Sequence, residues 1–386
     1  MSASVRLASP ADAGTLVALI ERCFGSNYHY RDALDPKWVA ALLTRRDQWW
    51  VLATVGADAL ASCRVVTSTR RADGACLFTT MAVCPEHGSR GLGTAVFDFA
   101  DSLAKQRFRV GLAEARRSMR PAQMLLERRG FVPVGSDLDF DPRTRAGEHS
   151  SYMKLYAAAS APERMPARVL PSLEGLACHA LGQLSPSSAN TLALDGGAAW
   201  PRADEGALRV EDGRSWPALA AIEATWSPSM LVDHACEPWT TRHPPRAMVL
   251  AKGGVARAVL RYRVLGEGDK AELTQLRGVD RCSMATLLRR AVIAQPWSYL
   301  RANLTASDPG LQALLIELGF VAAAYHPALA RAARGGFVDV VRLVRTTRPI
   351  EFQLGACTEA GRSCVDALTG RRTNKPWTSS ALRSSA

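Results

Sequence analysis

Residues 88–93, Gly-Ser-Arg-Gly-Leu-Gly, place three glycines in six positions between an apolar run, ACLFTTMAV, and a helical pattern, GTAVFDFADSLAKQ. A helix start offers unpaired backbone N–H groups and the positive end of the helix dipole, which together favour phosphate oxygens. Glycine lets the main chain approach such a ligand with no Cβ in the way. The chemistry this predicts is the holding of a phosphate-bearing molecule. A second group, Tyr28, His29 and Tyr30 followed by Arg31 and Asp32, interleaves aromatic and polar side chains that could hold a polar substrate; the plainer reading of His29 is a solvent-facing loop residue. Cys84, just before the glycines, would need a base and an electropositive setting to act as a nucleophile. Packing against a sheet is the ordinary role of such a free cysteine.

The elements that must position these residues follow from pattern. SVRLA reads as a short strand, and SPADAGTLVALIERCFG as a helix closed by Gly25. WWVLATV and ALASCRVVTST flank GAD as a hairpin, and ACLFTTMAV is the next strand. After the glycine loop and its helix come RVGLAEA (strand), PAQMLLERRG (helix ending at Gly130), FVPVGSDLDF and SYMKLYA (strands). The pattern then recurs: a hairpin around the Gly-Gly of RAMVLAKGGVARAVLRYRVL, the strand KAELTQLRGV, the helix SMATLLRRAVIAQ, the strand SYLRANLTA, the helix DPGLQALLIELGF, and the strands FVAAAYHP and FVDVVRLVR. MLLERRGFVPV rhymes with ALLIELGFVAA, so the expectation is an internal duplication. The fold class expected is α/β, a mixed and mainly antiparallel sheet with helices on both faces, in two tandem domains. Boundaries are expected at 1–157, a linker and irregular segment at 158–206, a second domain at 207–366, and a polar, Ser-rich, disordered tail at 367–386.

With 386 residues, two domains are the prior, and a composition of 47% hydrophobic and 22% charged residues is that of a globular protein. No apolar run approaches the ~20 residues of a membrane span, and the first residues lack a signal-peptide pattern. Nine cysteines, scattered and without CxxC spacing, argue against a disulfide framework or a metal site, and for a reducing compartment, the cytoplasm. The net charge of +12 comes from arginines spread along the chain, without an RNP-like, zinc-finger or helix-turn-helix pattern. That distribution argues against nucleic acid. It suits anionic small molecules or an acidic protein partner.

VCPEHGSRGLGTAVFDFA resembles the acetyl-CoA motif of the GCN5-related N-acetyltransferase (GNAT) superfamily, V-x-P-x-x-R/Q-x-x-G-x-G/A, and PAQMLLERRGFVPVG resembles the family's second motif, a helix ending in Gly-Phe. The resemblance covers residues 4–157 well and 245–345 more weakly. It implies that the strand before the loop holds a pantetheine arm at Met81 and Val83. Gly88, Ser89, Arg90, Gly91, Leu92, Gly93 and Thr94 would form the pyrophosphate cradle. The segment of Tyr28, His29 and Tyr30 would cover the acceptor. Family geometry points to Glu114 as a proton relay from the attacking ammonium and to Ser118 as hydrogen-bond donor to the leaving thiolate.

Departures from the family pattern are equally visible. Gly88 replaces its Arg or Gln, Leu126 replaces a tyrosine that often serves as general acid, and Met119 an asparagine. In the second half QLRGVDRCSMATLL has a single glycine, Gly278, and brings Asp280 to where phosphates would sit, while Leu315 again replaces the tyrosine. A degenerate second copy is expected. The function implied is acyl transfer from acetyl-CoA or another acyl-CoA to an amine of a small molecule, by direct attack and without a metal. The alternatives are transfer to or from a thioester on the phosphopantetheine of an acidic acyl carrier protein, and a non-catalytic acyl-CoA-binding protein.

Overall fold

A computed structural model describes residues 3–26, 28, 31–68, 71–88, 90–137, 149–156, 164–184, 192–201, 209–216, 218–226, 229, 231–233, 245–265, 268–332, 335–348, 350, 352 and 354–370. Their contacts gather into two units. The first holds the described residues of 1–114 with 154–156, and the second those of 115–153, 161–234 and 240–370.

The first unit is a sheet of β1 (Ser4–Leu7), β2 (Gln48–Val55), β3 (Asp58–Thr67), β4 (Ala75–Val83) and β5 (Val110–Arg116), hydrogen-bonded in that order. All its ladders are antiparallel except β4 with β5, which run parallel because the helix α3 (Leu92–Arg107) crosses between them. Helix α1 (Ala13–Phe24) buries Leu16, Leu19 and Ile20, at helical spacing, in a cluster with Trp50, Leu52 and Ala82. It stops at Gly25, whose φ of +79° suits glycine. Helix α2 (Pro36–Leu43) follows, begun by Asp35 accepting the N–H of Lys37 at 2.9 Å and by proline at the first turn. Sequence periodicity did not distinguish α2 from the loop before it. Helix α3 buries Val96, Phe97, Ala100 and Ala104, with the Phe97 ring 5.0 Å from that of Phe78 on β4. Lys154 and Tyr156 anchor their segment through Asp101 of α3, each donating at 2.7 Å.

In the second unit the strand order is β7 (His149–Leu155), β6 (Val132–Asp137), β15 (Val321–Arg331), β16 (Phe337–Thr346), β14 (Tyr299–Thr305), β13 (Lys270–Gly278), β12 (Val255–Leu265), β11 (Arg246–Lys252) and β10 (Arg209–Asp212). The ladder between β13 and β14 is parallel and the other described ladders of this sheet are antiparallel. Its helices are α4 (Arg120–Arg128), α5 (Glu174–Leu184), α6 (Leu219–Ala224), α7 (Arg281–Ala294), α8 (Pro309–Glu317) and α9 (Glu359–Thr369), and a parallel pair, β8 (Ala167–Val169) with β9 (Leu192–Leu194), stands apart. From β10 to β16 the succession β-α-β-β-β-α-β-α-β-β repeats that of β1 to β7, α2 aside. The mixed, mostly antiparallel α/β architecture expected from the sequence is the one observed.

One expectation needs correcting. The stretch 158–206, read as linker and irregular chain, contains α5, β8 and β9, and α5 buries Leu176, Ala177, Ala180 and Leu181. Its alanines at 177 and 180 and glycines at 175 and 182 give it the look of a flexible segment, although alanine is the best helix former. The tail expected at 367–386 begins inside α9, and 371–386 lie outside the described residues.

Residues 115–153 are tied into the second unit at two places. Gly135 on β6 lies opposite Ala324 on β15, so close that a Cβ there would stand 2.2 Å from the Ala323 carbonyl oxygen and 2.3 Å from the Ala324 Cβ. Gln123 of α4, wholly buried, donates to the Arg117 carbonyl at 2.9 Å and accepts the N–H of Thr358, the residue that caps α9, at 3.1 Å. Gly135→Ala should therefore force β6 and β15 apart and destabilise the protein by about 1–3 kcal/mol or more, read as a lower urea midpoint. A fragment of residues 1–160 leaves β6 without β15. It should be insoluble or associated when expressed alone, and a soluble monomer would contradict this account.

Candidate active site

The ladder between β4 and β5 lasts only from Ala75↔Val110 to Phe78↔Ala113. At that point β4 bulges. Ser62 pairs with Ala82 but Arg64 with Thr79, so β4 carries one residue more than β3 across the same interval. Thr80 sits in the bulge with φ of +48°, a left-handed conformation uncommon for threonine, and its side chain is buried. Beyond it Met81 and Val83 point, two residues apart, to one face of the strand. Both reach the start of α3, where a Cβ on Gly93 would lie 3.0 Å from Val83 Cγ2 and 3.4 Å from Met81 Cε. Gly93 thus permits the close approach of helix to strand. Gly91, φ +76°, is the residue at which the chain turns into α3.

Among the described residues no side chain caps α3, and its first turn carries no acidic residue. Its N-terminus therefore presents backbone N–H groups and the positive end of the dipole, with Arg90 exposed beside it. Gly88, Arg90, Leu92 and Thr94 lie in this same loop and first turn; Ser89 is outside the described residues. Cys84 is buried in the core cluster and bound on both sides. Its thiol donates to Glu86 at 2.6 Å, and Arg22 donates to its sulfur at 3.4 Å. Nearby Cys23 donates to the Val83 carbonyl at 3.2 Å, and burial, with Cys84 adding to it, pushes its pKa up to about 11. A thiol with that pKa stays protonated at neutral pH.

Glu114 is exposed on β5, one residue past the last ladder pair with β4, and belongs to the first unit. Ser118 is exposed in the turn after β5 and is grouped with the second unit. Between them Arg117 is wholly buried, 5.0 Å from the centre of the Phe352 ring, and burial lowers its pKa. Tyr28 is buried in the α1 cluster, its ring stacked on Phe24 at 4.8 Å. Sequence alone does not separate an aromatic buried in the core from one exposed to a ligand. His29 and Tyr30 lie outside the described residues.

The matching place in the second unit is built differently. The ladder of β13 with β14 also stops after four pairs, at Leu273↔Ala302, and β13 also bulges, at Thr274. Here the chain itself enters the gap. Leu231 bridges to Leu304, Val232 donates to the Asn303 carbonyl at 2.8 Å, and the Ser229 hydroxyl accepts the N–H of Leu276 at 3.0 Å. Helix α7 is closed as well. Asp280 accepts the Ser283 N–H at 2.6 Å with one oxygen, and with the other the Ser283 hydroxyl at 3.1 Å and Arg257 at 3.2 Å. Gly278 is packed, a Cβ there lying 2.8 Å from Met284 Cγ.

Among the described residues no three His, Cys, Asp or Glu side chains gather as metal ligands would, and no helix is long and apolar enough to cross a membrane. The cysteines Cys23, Cys63, Cys76, Cys84, Cys178, Cys282, Cys357 and Cys364 are free thiols. No family model matches the sequence, and no curated protein does. Among solved structures the chain is similar to an acetyltransferase of the GNAT family from Streptococcus pneumoniae (19% identity, 40% of this chain and 99% of that one, TM-score 0.36). It is also similar to the PaiA N-acetyltransferase from Thermoplasma acidophilum in complex with coenzyme A (14%, 40% and 100%, 0.34). A third is the ribosomal-protein-S18-alanine N-acetyltransferase from Escherichia coli (17%, 40% and 94%, 0.34).

The different closure of the two helices has a measurable consequence. Asp280→Ala removes the acceptor that satisfies the start of α7 and should cost about 1 kcal/mol of stability, seen as a lowered urea midpoint. An unchanged midpoint would mean that water caps α7 equally well.

Proposed function

We propose that the first unit binds an acyl-CoA, acetyl-CoA being the simplest, and that the chain transfers the acyl group directly to an amine of a small molecule. The observation that carries this reading is the uncapped N-terminus of α3, entered through Gly91, next to the bulge where β4 leaves β5. Backbone N–H groups of residues 88–94 would bind the pyrophosphate. The edge of β4 past its ladder with β5, around Met81 and Val83, would hydrogen-bond the pantetheine amides, as strand edges do with extended ligands.

Acyl transfer to an amine requires the amine neutral, the thioester carbonyl polarised and the thiolate protonated as it leaves. Glu114, exposed just past the point where the strands part, takes the ammonium proton directly or through water. Ser118 donates to the sulfur in place of the absent tyrosine. The nitrogen–carbon bond forms as the carbon–sulfur bond breaks, with no covalent enzyme intermediate.

In this reading the second unit descends from a copy of the same fold that has lost its ligand site. Support comes from Asp280 in the helix N-terminus and from Ser229, Leu231 and Val232 in the gap. The net charge of +12 favours a second reading, in which the donor thioester sits on an acidic carrier protein. Salt-sensitive capture of a carrier protein, absent with free acyl-CoA alone, would distinguish it.

Gly91→Asp adds a negative charge to the cradle and should weaken CoA binding about tenfold or more in calorimetric titration. Val279→Asp, at an exposed position one residue before the N-cap of α7 in the second unit, should leave it within about twofold by the same Coulomb argument. Equal losses would refute the asymmetry. Ser118→Ala should lower kcat ~10²-fold with CoA affinity unchanged. Glu114→Gln should remove the carboxylate-dependent limb of the kcat–pH profile. Absence of turnover with any amine, alongside intact CoA binding, would leave a binding protein instead of an enzyme.

A further inference from the structure

The second unit contains a cleft of about 410 Å³ between α6 and the face of β12 and β13, lined by Glu223, Asp233, Arg261, Thr274, Gln275 and Arg277 among others. Its charges are mostly matched within the fold. Arg261 holds the Glu223 carboxylate with both Nε and Nη2, at 2.9 and 2.6 Å. Asp233 faces Arg263 at 3.3 Å, and Arg263 in turn meets the buried Glu272 at 3.2 Å, which also pairs with Arg301 at 3.3 Å. Arg277 is different. Its Nη1 is fixed on the main-chain carbonyl of Glu223 at 3.2 Å, an uncharged acceptor, and its Nε is buried with no hydrogen-bond partner among the described residues.

We infer that this cleft is a binding site for a small oxyanion, a carboxylate or a phosphate group, seated on Arg277. A guanidinium held by one nitrogen on a carbonyl is already oriented, and its planar array of donors matches an oxyanion. Glu223 and Asp233 do not oppose such a ligand, because each carboxylate faces a guanidinium. Thr274 and Gln275 line the same space and add polar residues to it. Thr274 is brought there by the β13 bulge. The ion pair of Glu223 with Arg261 fixes the α6 wall, and Arg277 reaches across to the carbonyl of that same residue. The proposal is independent of acyl transfer in the first unit.

The test is calorimetric titration of the full chain with sodium acetate and with inorganic phosphate, repeated on Arg277→Met, Ala220→Trp and Gly91→Asp. Ala220, exposed on α6, lines the cleft, so tryptophan there fills the space and alters no charge. Saturable binding of one or both anions is expected in the wild type. It should weaken about tenfold or more in Arg277→Met and in Ala220→Trp, and persist in Gly91→Asp. Preference for acetate assigns a carboxylate, and preference for phosphate assigns a phosphate ester. Should Arg277→Met fail to fold, Ala220→Trp decides alone. No saturable binding of either anion in the millimolar range, binding unchanged in the folded cleft variants, or binding lost only in Gly91→Asp, would overturn the proposal.

Discussion

A parallel strand pair that stops after four residues leaves main-chain N–H and C=O groups facing a gap, and those groups must find partners. Each unit contains one such pair, next to a bulge in its third long strand. In the second unit the partners come from the same chain: Ser229, Leu231 and Val232 supply a hydroxyl, a bridge and a donor. In the first unit the edge of β4 past Phe78 runs toward an open helix start and a glycine loop. Among the described residues the two gaps thus differ in their surroundings: one is filled by its own chain, and the other lies beside a helix start with glycine at its N-cap.

Helix termini repeat the contrast. The N–H groups of α7 are satisfied by a carboxylate that belongs to the fold, whereas α3 has a glycine at the equivalent place. An aspartate in that position does two things at once: it satisfies the donors, and it repels any phosphate. A single residue therefore decides whether the donors of such a helix start are satisfied by a side chain of the fold. The internal ion network around Glu272, Arg263 and Arg301 belongs to the same unit. Its buried charges are balanced near the cleft except at Arg277.

Much of this was legible in the residues. Three glycines before a helical pattern marked the loop, because glycine is retained where the main chain must turn through positive φ, as at Gly91, or lie against a neighbouring side chain, as at Gly93. Asp280 in place of a glycine pointed to a different use of α7. The bulge at Thr80 was not legible, since threonine reads as an ordinary strand residue and its left-handed φ is imposed by pairing with β3. Helix α5 was hidden by its alanines, whose burial depends on neighbours remote in sequence. The burial of Tyr28 and the entry of residues 229–232 into the β13–β14 gap are likewise tertiary outcomes. No local pattern announces them.

The hydrogen bond between Gln123 and Thr358 joins groups 235 residues apart in the chain. A ribosome adding about 5–20 residues each second needs ~10–50 s to make that interval. For most of that time α4, β6 and β7 are already synthesised but lack the strand and helix against which α4 and β6 finally rest. The nascent protein thus carries the unpaired edge of β6 for roughly half of its synthesis, and its native pairing competes with pairing to other nascent copies. Glu127, which accepts from both Tyr152 and Thr358, and Gln123 make the eventual join one of buried polar contacts. Such contacts form only when geometry is right, and so they discriminate between the late-arriving segment of the same molecule and an apolar surface that merely adheres.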